Sequence, residues 1–228
     1  ERNPARLHKL VARFSSLPQT ARDRLLNHLD STDITSLPEN DRMSIWSALT
    51  DFIAKHRRFA DANWALPDDV LRQIESVTGR LAPQKAFNRH RRLFSGRDFD
   101  LFEQDGDWEE QKKRLDELRK DAVREIHHVG GIADVIKFAK EVEFPSRVGD
   151  TMGHVATTED DSALLPGMLR EGDQDLAEFL AYYVWARRSA AGWRWVDQTV
   201  KKDWSAEEIG QYLRCLPFCS DTWARVTD

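Results

Sequence analysis

Cysteine is scarce in this chain: 228 residues contain two, Cys215 and Cys219. Two thiols four positions apart around Pro217 cannot make a disulfide framework, and a metal pair would need further ligands although no histidine follows His154. They read as inert structural thiols of a reducing compartment. Long apolar runs are missing too, so nothing approaches the ~20 residues that cross a bilayer, and no charged-then-apolar leader opens the sequence. Nor does charge of one sign dominate. Lys and Arg number 34 against 39 Asp and Glu, and the net charge of −5 gives no global attraction to nucleic acid or an anionic membrane. Alternating apolar and polar positions, the signature of a half-buried strand, do not occur, so essentially no sheet is expected.

What the chain has is apolar residues at helical spacing. With 40% apolar and 32% charged residues it can bury enough surface to fold. Leu115, Leu118, Ala122, Ile126 and Val129 make one stripe; Ile45, Leu49, Phe52, His56 and Phe59 make another. Val70, Ile74, Val77 and Leu81 form a third, and Ile132, Val135, Ile136, Ala139 and Val142 a fourth. Each predicts a helix with one buried side. Leu-Pro pairs at 17–18, 37–38, 66–67, 165–166 and 216–217 read mostly as helix starts, with Pro166 able instead to kink a helix begun near Asp160. Gly130-Gly131 reads as one helix stopping and another beginning. FLAYYVWA at 179–186 is apolar all round and predicts a central helix buried on most sides.

The expected fold is therefore all-α, an array of antiparallel helix pairs that is either a degenerate α-solenoid or an irregular helical bundle. SLPQTARDRLLNHL at 16–29 and SLPENDRMSIWSAL at 36–49 align without a gap, and KHRRF at 55–59 and RHRRL at 89–93 lie one helix–turn–helix apart. Residues 1–228 read as one helical repeat-like region, open to subdivision into 1–95 and 107–228 around an irregular connection at 96–106. Glu1 in place of Met, with Asn3-Pro4 running straight into Leu7, Leu10, Val11 and Phe14, leads us to expect a cytoplasmic piece of a larger protein.

HRRFADANWALPDDVLRQIESVTGRLAPQKAFNRHRRLF at 56–94 and RKDAVREIHHVGGIADVIKFAKEVEFPSRVG at 119–149 resemble helical regions of large bacterial multidomain proteins, those of STAND-type ATPases and related defence or signalling proteins. The resemblance rests on Trp-Ala-Leu-Pro, an Arg-rich segment ending in Leu-Phe, and an Arg, Ala-Val, Gly-Gly order. It implies a helical array beside a nucleotide-binding or effector module, and it transfers no catalytic residue. GDTMG at 149–153 lacks the length and the Lys of a phosphate-binding loop.

Candidate chemistry is thin. Glu125 and His128 have the Glu-x-x-His spacing of a di-iron helix, but the second copy is missing, and a helix-end histidine is the plainer reading. His127, His128 and His154 could meet as a metal site only if the fold gathers them. Glu103, Asp105-Gly106-Asp107 and Glu109-Glu110 suggest a calcium loop, yet aligning the glycine puts Leu101 and Lys112 at ligand positions, so a turn before an Asp-capped helix is expected. Basic helix ends at Lys55, Arg57, Arg58, Arg89, Arg91 and Arg92 would form one edge in a repeat and hold phosphate or nucleic acid, although cations favour helix C-termini anyway. Tryptophan is the one excess, eight in all; Trp193, Trp195 and Trp204 are candidate interface aromatics, against core filling as the plainer reading. The function expected is a non-catalytic interaction or sensing scaffold without cofactor or metal. A partner protein or other domains of the same parent chain would occupy it, with nucleic-acid binding and a metal-dependent enzyme as alternatives.

Overall fold

The computed structural model describes residues 4–11, 13–31, 36–101, 107–170, 172–199 and 201–225. Among them are eleven α-helices, four short 3₁₀ segments and no strand, so the protein is all-α. No described helix is long and apolar enough to cross a membrane. The chain divides into two compact units, Glu1–Arg92 with Gly96–Leu115, and Leu93–Ser95 with Asp116–Asp228.

In the first unit α1 (Pro4–Val11) packs on α3 (Glu39–Arg58), and α3 on α4 (Asp68–Leu81); α2 (Gln19–Leu29) also meets α4. The short α5 (Ala86–His90) follows. Leu7, Val11, Phe14, Leu29, Ile45, Leu49, Ile74 and Leu81 are almost fully enclosed, each contributing roughly 1.5–3 kcal/mol relative to exposure. Pro18, Pro38 and Pro67 each occupy the position just before a helix, where a missing N–H donor costs nothing. α2 and α3 thus begin in the same register of the two aligned segments, at Gln19 and Glu39. The α3 stripe is buried from Ile45 to His56, and Phe59, just past the helix, is exposed.

α6 (Trp108–Ala139) begins in the first unit and continues in the second. Its register corrects the expected stripe. Leu118 and Val129 face solvent, while Leu115, Arg119, Ala122, Val123 and Ile126 are buried. Arg119 was overlooked because a charged residue does not count in a hydrophobic pattern. Its Nε donates to the Leu93 carbonyl at 2.8 Å, and its guanidinium lies over the Phe94 ring. Gly131 interrupts α6 with φ 65° and ψ −163°, a conformation only glycine adopts readily, which is the break expected at Gly130-Gly131.

In the second unit α7 (Pro145–Val155) packs along α9 (Gln174–Gln198), with α8 (Thr158–Leu164) between them in sequence, and α10 (Ala206–Arg214) and α11 (Ser220–Ala224) closing the chain. α8 ends at Leu164, before Pro166, so the proline breaks rather than kinks it. α8 and α10 start with reciprocal caps: Thr157 with Asp160, and Ser205 with Glu208. FLAYYVWA is helical, but it is not enclosed all round. Phe179, Leu180, Tyr183, Val184 and Ala186 are buried, whereas Tyr182 and Trp185 are half exposed. The glycines of GDTMG are helical packing residues. A Cβ on Gly149 would overlap the Phe179 carbonyl, and one on Gly153 would lie 2.6 Å from the Tyr183 carbonyl oxygen.

Candidate interaction surface

The second unit organises its aromatics around one carboxylate. Asp161, on α8, accepts Tyr183 Oη at 2.5 Å, Arg187 Nε and Nη2 at 3.1 Å, and Trp195 Nε1 at 2.9 Å. Asp161 and Arg187 are both largely buried. Burial, followed by the Asp161 bond, pushes the Tyr183 hydroxyl far above the usual phenol range, so it stays a donor. Tyr183 and Arg187 precede Gly192, and Trp195 follows it. Gly192 itself has φ 71° and ψ −174°, so Asp161 ties down both halves of a helix that bends at a glycine.

The same bend sets the outer face. Arg188 lies one turn beyond Trp185, with its guanidinium 5.2 Å from the Trp185 ring centre and 5.4 Å from that of Trp193. Arg225 covers Trp193 at 4.7 Å and grips Asp197 through Nε at 2.5 Å and Nη2 at 3.2 Å. That bond holds the Asp197 carboxyl below its ordinary range. Tryptophan and arginine therefore alternate in a row: Trp185, Arg188, Trp193, Arg225. Beside Arg225, Trp223 meets Phe218 edge to face at 5.3 Å. Exposure reaches 45% at Trp185, 52% at Trp223 and 89% at Phe218, so about half of each tryptophan and nearly all of the phenylalanine lies in water. The Arg188 Nε is enclosed and has no hydrogen-bond partner among the described residues.

Of the expected interface aromatics, Trp193 joins this row. Trp195 is buried and holds Asp161, so it fills the interior, whereas Trp204 is partly exposed and stands edge-on to buried Tyr212 at 5.4 Å. Trp185, Arg188, Phe218 and Trp223 were missed. Trp185 and Arg188 at helical i, i+3 spacing carried a readable signal, but Phe218 and Trp223 depend on where α11 folds, which no local pattern encodes.

The basic helix ends are mostly engaged. Arg57 pairs with Glu75 at 2.7 Å and Arg92 with Asp51 at 2.8 Å; Arg58 is buried with its guanidinium over Phe59; Lys55 sits over the Trp64 ring at 5.2 Å. Arg89 is half-buried and Arg91 exposed. His127 bonds Asp160 through Nε2 at 2.7 Å, while His128 and His154 are exposed. Asp160 belongs to the cap of α8; despite burial, bonds from Thr157 and His127 keep its carboxyl below the usual value. Among the described residues no three His, Cys, Asp or Glu side chains gather as metal ligands. Glu103, Asp105 and Gly106 of the calcium-like stretch lie outside the described residues, and Asp107 caps α6 by accepting the Glu109 N–H at 3.1 Å. Cys215 is partly buried, its thiol pushed up to about 11 by burial, and no disulfide joins it to Cys219. Compared with known proteins, the chain matches no family model, no curated protein and no solved structure.

Proposed function

We propose that this chain is a non-catalytic interaction scaffold of a larger bacterial protein, one resembling the helical parts of STAND-type signalling or defence proteins, and that it engages its partner through the tryptophan–arginine face of the second unit. The single supporting observation is the row Trp185, Arg188, Trp193, Arg225, with exposed Phe218 and Trp223 a few residues from Arg225 in the chain. Tryptophan, arginine and phenylalanine are enriched at interface centres, and a few such residues carry most of the binding energy. Stacking between two rings holds the Arg188 guanidinium in place. A peptide carboxylate flanked by apolar side chains is the partner chemistry that such a cation between tryptophan rings suits.

Selection of displayed random dodecapeptides on the purified chain tests this. Acidic peptides with apolar neighbours should be enriched, and Trp185→Ala and Trp223→Ala should each weaken their binding about ten-fold or more, as truncating an interface anchor does. Enrichment of nothing above background, or equal binding to both variants, would reject the surface.

The second reading is a nucleic-acid or phosphate edge built from Lys55, Arg57, Arg58, Arg89, Arg91 and Arg92. Lys55 over Trp64 and exposed Arg91 favour it; the carboxylates on Arg57 and Arg92 weigh against it.

A further inference from the structure

The straight first part of α9, from Gln174 to the bend at Gly192, buries Phe179, Leu180, Tyr183 and Val184 on one side and leaves the other side uncovered. Glu178, Ala181, Trp185 and Arg188 follow one another three or four residues apart on that outer side, so they form a single stripe. Glu178 and Ala181 are half-buried, Tyr182 and Trp185 half exposed, and Arg188 lies over the Trp185 ring. Among the described residues no cation pairs with Glu178 and no carboxylate with Arg188. The stripe is therefore acidic at its start, apolar in its middle and cationic at its end. Such a surface complements itself when a copy is turned end for end.

We infer that the occupant of the tryptophan–arginine face is a second copy of this chain, with the two α9 helices antiparallel about a two-fold axis level with Tyr183. The inference rests on the face proposed above and names what covers it. Positions 178 and 188 lie equally far from 183, as do 181 and 185. Each Glu178 then stands opposite Arg188 of the partner subunit, and each Trp185 opposite Ala181 of the partner subunit. A large ring over a methyl group lets the helix axes approach to about 8–10 Å. Because the interface is isologous, both contacts form twice. The middle of the straight segment falls at 182–183, so the two helices overlap along their whole ~27 Å length before the bend. The carboxylate with apolar neighbours that suits Arg188 is thus Glu178 of the partner subunit, with Ala181 and Tyr182 of the partner subunit one turn on. A single helix pair lies below the ~1,200 Å² of a standard interface, which makes the dimer reversible and concentration-dependent.

Sedimentation equilibrium of the full chain provides the test. Mass should rise from one chain towards two over ~1–300 μM. Glu178→Arg and Arg188→Glu should each weaken that association about ten-fold or more, because like charges then face each other twice. Mixed together, the two variants should associate one to one at near the wild-type level, since each supplies the charge that the other lacks. Both positions lie on the outer face, so the variants keep the fold, and melting curves verify it. Single-chain mass up to the highest concentration overturns the inference, as does a dimer that either variant leaves intact or that the mixture fails to restore. A monomer that still selects acidic peptides would keep the face and give it another occupant, so the failure of this inference is told apart from the failure of the face itself.

Discussion

A histidine in the middle of an apolar stripe must be either neutral or paired, and His56 takes the first course. It is buried against Phe52, with ring centres 4.2 Å apart, and its Nδ1 accepts the Leu66 N–H at 3.1 Å. That bond requires an unprotonated Nδ1. Burial, aided by neighbouring Lys55, lowers its pKa below the ordinary value of 6.5. The sign follows from linkage. Below about pH 6.5 the unfolded chain protonates this imidazole while the folded chain resists, so the unfolded state binds more protons and stability falls as pH drops. Melting temperatures measured from pH 7.5 to 5.5 should fall more in the wild type than in His56→Gln, which has no titrating group there. Parallel profiles would show that His56 titrates alike in both states. The stripe itself was legible in sequence, as was the place of His56 within it. The Leu66 N–H was not, because that donor lies across a turn whose path only the fold fixes.

At the scale of elements, two kinds of glycine behave oppositely. Gly131 and Gly192 permit bends through positive φ, whereas Gly149 and Gly153 lie on α7 where it presses on the backbone of α9. Gly79, inside α4, does neither: a Cβ there meets nothing within 4 Å. Gly79→Ala should therefore raise stability by about 0.5–1 kcal/mol through helix propensity and a less flexible unfolded chain. Gly149→Ala should lower it by about 1–3 kcal/mol or more, because its new methyl collides with the Phe179 carbonyl. Urea midpoints of the two variants, read side by side, decide the matter. A Gly149→Ala midpoint at or above the wild type would mean that α7 and α9 are not packed this closely. In sequence, GDTMG could be excluded as a phosphate loop from its length alone, but its packing role depends on which helix lies opposite. The capping boxes Thr157–Asp160 and Ser205–Glu208 were fully local signals that hydrophobic periodicity passes over.

For the molecule as a whole, the decisive quantity is how its 34 cations are partnered. All-α character followed from the stripes and the missing alternation, since both depend on local spacing. Charge pairing depends on which helix faces which. Arg57 with Glu75 and Arg92 with Asp51 lie far apart in sequence, so a cluster that reads as a free basic edge is partly neutralised in three dimensions. With a net charge of −5 and those pairs formed, few phosphates can be neutralised and few counterions released. Titrating generic duplex and single-stranded nucleic acid into the chain across ~20–200 mM salt should thus show weak binding with a shallow salt slope. The combined Arg57, Arg58, Arg91 and Arg92→Ala variant should change that binding little. It should instead lose stability, because Arg58 packs in the interior and Glu75 and Asp51 forfeit their partners, each exposed pair counting for no more than about 1 kcal/mol. Tight binding with a steep slope that disappears in the variant would reverse the order of the two functional readings. It would move the site from the tryptophan–arginine face of the second unit to the helix ends of the first.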